Sequence, residues 1–255
     1  MNRIDHTAWF RFYEELNDFL HTTLRKTEFP YRFNGSPSVK DATEAIGIPH
    51  VEVDMVLVNG VSVDFSYRLH DNDHVSVYPV FESLDITSVT HLREKPLREL
   101  RFIADVHLGR LVKYLRLCGF DTYFRNDTSD REIIDLALAE KRIILTRDKG
   151  LLRNRHVTHG YWIRSAHPEE QMREIMNRLD LKNQVLLFTR CVVCNGVLTD
   201  VTKEEISHRL LPDTLIYFNK FKMCPECHRI YWKGSHYERM KDFIGKLINE
   251  SDKRD

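Results

Sequence analysis

The chain has 255 residues, with 38 Lys and Arg against 38 Asp and Glu and 42% hydrophobic residues, ordinary values for a globular protein of about two domains. No apolar run approaches the roughly 18–20 residues that span a bilayer, and the Met1-Asn-Arg-Ile-Asp5 start lacks the apolar core of a signal peptide. A cytoplasmic protein without a membrane partner is expected, its five cysteines being thiols or metal ligands rather than disulfides.

In chain order, Ala8-Trp-Phe-Arg-Phe-Tyr13 reads as a strand, Glu14 to Leu20 turns helical, and Phe29 to Phe33 alternates as a half-buried strand does. Ser38 starts a short helix that Gly47 and Pro49 stop. Asn59-Gly60, between Met55-Val-Leu-Val58 and Val61-Ser-Val63, is the strongest hairpin signal in the chain, and Val75 to Tyr78 alternates into a last strand. Strand, strand, helix, hairpin, strand is the order of a β-grasp domain, assigned to residues 1–82. Leu69 to Val80 resembles the closing segment of ubiquitin-like sulfur carriers. Those act through a C-terminal Gly-Gly, and here Val80 runs on into Phe81-Glu82-Ser83, so an interaction module that binds a protein partner is expected instead. Residues 83–100, with Pro96 and no clear period, read as a linker.

Charge is unevenly spread. Residues 1–100 hold 10 basic and 16 acidic side chains, and residues 101–255 hold 28 and 22, so the second part is the better suited to a polyanion. There, residues 101–188 alternate strand (102–104), helix (108–118), strand (120–124), helix (130–140) and strand (142–146). A short helix (149–153), a strand near Tyr161 and a helix from Pro168 follow. This is the pattern of a parallel sheet with helices on both faces. Leu108, Leu111, Val112 and Leu115 form the buried stripe of the first helix. Arg110, Lys113 and Arg116 recur on its other side, where they are either a solvated face or a phosphate-contacting one, and Gly119 closes it as a left-handed cap.

Two apolar strands end in acids, Phe102-Ile-Ala-Asp105 and Ile143-Ile-Leu-Thr-Arg147-Asp148. In an open α/β sheet such strand ends meet in the crevice where strand order reverses. Asp105 and Asp148 are therefore expected to face each other and hold a divalent metal. Ser129 and Glu132 make a capping box that puts Asp130 in the first turn of its helix. Asp130 there either complements the helix dipole or joins the same crevice. Three close carboxylates would repel unless a cation joined them, and Mg²⁺ or Mn²⁺ suits such oxygens.

Asp105-x-x-Leu-Gly-Arg-Leu-x-x-Tyr-Leu-Arg-x-x-Gly-Phe-Asp121, followed by Ile144-Leu-Thr-Arg-Asp-Lys-Gly-Leu151, closely resembles the Mut-seven C-terminal RNase family, a branch of the PIN-like nucleases. The resemblance covers about residues 8–240, including an N-terminal ubiquitin-like domain. It implies catalytic acids at Asp105, Asp130 and Asp148 and metal-assisted hydrolysis of RNA, with Arg147 and Lys149 placed to neutralise phosphate. Asp127, Glu132 and Asp135 lie close enough to Asp130 to be alternatives.

Residues 189–255 carry Cys191-Val-Val-Cys194 and Cys224-Pro-Glu-Cys227. Two Cys-x-x-Cys pairs at ribbon-like spacing supply four thiolates for a tetrahedral, structural Zn²⁺, the most specific signal in the chain. A redox pair is the rival reading. Cys118 is read as a small core residue. Beyond the second pair, Trp232 either packs the ribbon or forms with Tyr231, Lys233 and His236 a stacking surface for single-stranded RNA. The expected whole is a β-grasp domain, a PIN-like α/β domain and a zinc ribbon, acting as a metal-dependent ribonuclease. The alternatives are a non-catalytic RNA- or ribosome-binding adaptor, and a toxin-like nuclease restrained by its own ubiquitin-like domain.

Overall fold

A computed structural model describes residues 6–79 and 100–249; the expected linker lies outside these residues, apart from Leu100. The chain divides into two units. Among the described residues, the first is residues 6–79 with 148–162, and the second is residues 100–147 with 163–249.

In the first unit β1 (His6–Phe12), β2 (Phe29–Phe33), β3 (Val53–Val58), β4 (Val61–Val63) and β5 (His74–Pro79) form one sheet in the order β2-β1-β5-β3-β4. β1 and β5 are parallel at its centre and the other pairs are antiparallel, which is the β-grasp arrangement. Phe10, Phe12, Val56, Val75 and Val77, every second residue of their strands, are buried in its core with Val39 and Ala42 of α1 (Val39–Ile46). Ser38 and Asp41 form the capping box that starts α1. Asn59 and Gly60 take positive φ of 51° and 83°, the two left-handed positions of a type I′ hairpin turn. The region after Tyr13 is a 3-10 helix, Glu14–Phe19.

In the second unit β6 (Arg101–Ala104) pairs in parallel with β7 (Asp121–Tyr123) and β8 (Ile143–Thr146). Ile143, Ile144, Leu145 and Thr146 are all buried, as are Phe102, Ile103 and Ala104. Continuous burial marks a parallel strand covered on both faces. α2 (Gly109–Leu117) and α3 (Asp130–Glu140) are the helices that follow β6 and β7. Leu108, Leu111, Val112 and Leu115 are each no more than 1% exposed, so the predicted stripe faces the core. Gly119 follows α2 at φ 92°.

The segment Asp148–Trp162, which carries α4 (Lys149–Leu152) and β9 (Gly160–Trp162), belongs to the first unit. Arg153 donates to the Gly47 carbonyl (2.7 Å), the Trp162 amide donates to Glu52 (2.6 Å), and His50 Nε2 lies 2.9 Å from the Val157 carbonyl oxygen. α5 (Pro168–Arg178) returns to the second unit. There β10 (Thr199–Val201), β11 (Phe221–Met223) and β12 (Ile230–Trp232) form an antiparallel ribbon in that order. α6 (Lys203–Ile206) and α7 (Pro212–Tyr217) lie between β10 and β11, and α8 (Ser235–Asn249) follows β12.

Candidate functional site

Cys191, Cys194, Cys224 and Cys227 bring their sulfur atoms within 4.8 Å of one another, and none is in a disulfide. Four ligands about 2.3 Å from a tetrahedral zinc would stand roughly 3.8 Å apart, so the donor set and its spacing can hold such an ion. The two pairs fold alike. The amide of Asn195 donates to the Cys191 carbonyl and that of His228 to the Cys224 carbonyl, at 3.0 and 2.8 Å. Asn195 and His228 both take positive φ, 74° and 56°. A methyl group on Gly196 would lie 2.9 Å from the Cys224 sulfur, so the loop closes over the sulfurs only with glycine there. Burial opposes ionisation of Cys191, but the Tyr231 hydroxyl at 3.1 Å and the Cys194 and Val193 amides overcome it, bringing the thiol down to about 6. Burial pushes the Cys194 and Cys227 thiols up instead, so a bound metal would take one ready thiolate at Cys191 and displace protons from the others.

The first knuckle is joined to the edge of the parallel sheet. Asn195 accepts from the Thr122 amide (3.0 Å) and donates to Asp121 (2.8 Å). Asp121 also receives Arg142 at 2.6 Å and Arg190 at 3.3 Å. Arg116 is only 4% exposed, and donates to the carbonyls of Thr122 (2.9 Å) and Val193 (2.7 Å). This corrects the expected role of Arg116 as an RNA contact. With a period of 3.6, a residue six positions past Arg110 has rotated off the outer face toward the core edge. Arg110 and Lys113 do lie on the exposed side of α2.

Asp105 directly follows β6 and is 7% exposed. One oxygen, Oδ2, accepts from the Thr146 hydroxyl at 2.8 Å across the paired strands. Asp130 is the exposed first residue of α3, with the Ser129–Glu132 capping box beside it. Asp148 lies in the first unit, where its side chain accepts from the Gly150 amide at 2.7 Å and caps α4. Among the described residues the cysteines are the group of three or more possible ligands drawn this close, and within the second unit Asp105 and Asp130 belong to no such group.

A family model for the Mut7-C RNAse domain matches residues 100–244, and one for the Mut7-C ubiquitin domain matches residues 5–85. The chain belongs to the Mut7-C RNAse family. No curated protein and no solved structure gives a match. Asp105, Asp130, Asp148 and the four cysteines all lie inside the Mut7-C RNAse match.

Other residues assigned to RNA in this family member fall in different settings. Arg147 is exposed. The ammonium of Lys149 lies 3.9 Å from the Trp162 ring centroid and 4.8 Å from that of Phe19. It is a cation–π contact inside the first unit, made by a side chain that is half-buried. Trp232 is half-buried, against Phe218 and Phe221. The His236 side chain lies outside the described residues. Tyr231 uses its hydroxyl on Cys191. Burial holds the Cys118 thiol up at about 12, as a core residue requires. Sequence reading missed Asp121, Asn195, Arg142 and Arg190; Asp121 stands in the Gly-Phe-Asp motif, but its partners come from up to 74 residues away. No helix of the described residues is long and apolar enough to cross a membrane.

Proposed function

We propose that this protein is a divalent-metal-dependent ribonuclease that hydrolyses single-stranded RNA, with Asp105, Asp130 and Asp148 as its acids. The observation that carries the reading is the Mut7-C RNAse match over residues 100–244. The position of Asp105 supports it: a carboxylate at the carboxyl end of a buried parallel strand, where open α/β sheets offer ligand sites. Thr146 holds Oδ2 and, among the described residues, nothing donates to Oδ1; Mg²⁺ is commonly held by one or two carboxylates plus water and substrate phosphate. When bound, Mg²⁺ or Mn²⁺ would activate water and stabilise charge on the phosphodiester. In this reading Asp105 orients the ion-binding face, Thr146 fixes the carboxylate rotamer, and Arg147 attracts the backbone phosphate. The four cysteines hold structural zinc, and the ubiquitin-like domain binds a protein partner.

Purified protein is expected to cut single-stranded RNA with Mn²⁺, and Asp105→Asn to fold with an unchanged circular dichroism spectrum and no cleavage. Equal cleavage by that variant would remove the reading. A non-catalytic RNA-binding adaptor is favoured by one observation, the use of Asp148 as the cap of α4. Such an adaptor would bind RNA with a steep salt dependence and gain nothing from Mn²⁺.

A further inference from the structure

A cavity of about 710 Å³ opens in the second unit between α2, the ribbon strand β12 and the start of α8. Arg110, Lys113, Arg190 and Arg229 are its charged lining residues, and among the described residues no carboxylate lines it. Arg190 is engaged by Asp121. Arg110, Lys113 and Arg229 are exposed and, among the described residues, have no ion-pair partner. The remaining wall is mainly apolar: Trp232, Phe218 and Tyr237 stand on it beside the aliphatic Leu117 and Met240, and Phe188 meets Tyr237 edge to face at 4.8 Å. Phe188 is held at φ 69°, a conformation that costs a bulky residue about 1–3 kcal/mol.

We infer that this cavity is a subsite for an unpaired nucleotide of single-stranded RNA, its base entering the aromatic wall and its flanking phosphates meeting Arg110, Lys113 and Arg229. Rings alone would suit any apolar partner, and cations alone any anion. Uncompensated cations around a ring-lined cavity match a ligand that is itself a flat ring tied to phosphates. The volume lies within the range of small-molecule pockets, and a duplex, with its bases stacked and paired, offers nothing to insert. The inference deepens the ribonuclease reading and rests on it for RNA as the strand.

The test uses full-length Asp105→Asn protein with its zinc retained and no added Mg²⁺ or Mn²⁺. It is titrated onto a fluorescein-labelled single-stranded RNA of about ten nucleotides, a length within the usual range for such sites. Trp232→Leu is expected to weaken binding roughly 5- to 150-fold, the range of one base–aromatic stack. Lys113→Ala and Arg229→Ala are each expected to flatten the dependence of log affinity on log salt by about 0.7. Both positions are exposed, so these variants test the idea even where Trp232→Leu does not fold. Adenosine monophosphate should compete weakly, and a matched RNA duplex should bind less well than the single strand.

Unchanged affinity and slope in both alanine variants would overturn the subsite. So would equal binding of the duplex, or quenching of Trp232 by an amphipathic peptide and not by the RNA. If those variants bind normally while the Asp105-intact protein cleaves, the subsite alone fails. If they lose binding in a protein that never cleaves, the subsite stands and the ribonuclease reading fails.

Discussion

The guanidinium of Arg116 reaches the carbonyl oxygen of Val193, inside the first Cys-x-x-Cys loop, at 2.7 Å while its Nε holds the Thr122 carbonyl at 2.9 Å. One buried cation thus joins α2, the edge strand β7 and the first cysteine pair. Burial lowers its proton affinity and the Cys191 and Cys194 thiols oppose that. Arg116→Ala removes the donor to the carbonyls of Thr122, Val192 and Val193 and opens a cavity, so a loss of about 2–5 kcal/mol is expected, read from urea unfolding. A neutral result would mean that water replaces the side chain at no cost.

Metal removal should act through the same joint. Chelating an ion held by the four cysteines would free the loop that orients Val193 and Asn195, since metal-binding energy is folding energy in such modules. Hydrogen exchange in residues 109–123 is expected to rise along with that in residues 189–232. Faster exchange confined to the ribbon would show that the contact does not transmit.

Gly119 tests how closely the chain crosses itself. An added Cβ would collide with the Leu186 carbonyl and lie 2.7 Å from the Thr189 hydroxyl oxygen, at a residue with φ 92°. Gly119→Ala combines backbone strain with overlap against backbone, and a loss above about 2 kcal/mol is expected. A melting temperature within a degree of the parent would contradict the geometry.

Burial alone would raise Asp121, but Arg142, Asn195 and Arg190 hold it below the usual carboxylate range. A depressed folded value means that its contribution is complete above the unfolded value, 3.8, and fades as pH falls through the lower folded one. Urea midpoints should therefore drop as pH is lowered below about 4, and drop less in Asp121→Asn. Parallel acid profiles for the two proteins would place the acid-sensitive group elsewhere.

Lys149 is half-buried, with its ammonium over the rings of Trp162 and Phe19. Lys149→Gln is expected to destabilise the protein by roughly 0.5–2 kcal/mol and to leave the salt slope of RNA binding unchanged. A slope flatter by about 0.7 would show that this residue contacts phosphate.

Periodicity and local turn chemistry were enough to read most elements of the β-grasp and parallel-sheet segments, though not the short strands and helices between the two cysteine pairs. Alternation in β1 and β5, the Asn59-Gly60 turn, the capping boxes at Ser38 and Ser129 and the apolar stripe of α2 depend on neighbours a few residues apart. The two Cys-x-x-Cys pairs were equally legible, because a tetrahedral thiolate site needs little beyond ligand type and spacing. Partner choice was not. Arg116 and Lys149 look like surface cations in the sequence, and only folding brings the carbonyl of Val193 to one and the rings of Phe19 and Trp162 to the other. Asp121 gathers Arg142, Arg190 and Asn195 for the same reason. A side chain's ionic or hydrogen-bond role is set by whatever is within about 3–4 Å of it. For these residues that neighbour is supplied by tertiary packing across tens of positions, which no local pattern encodes.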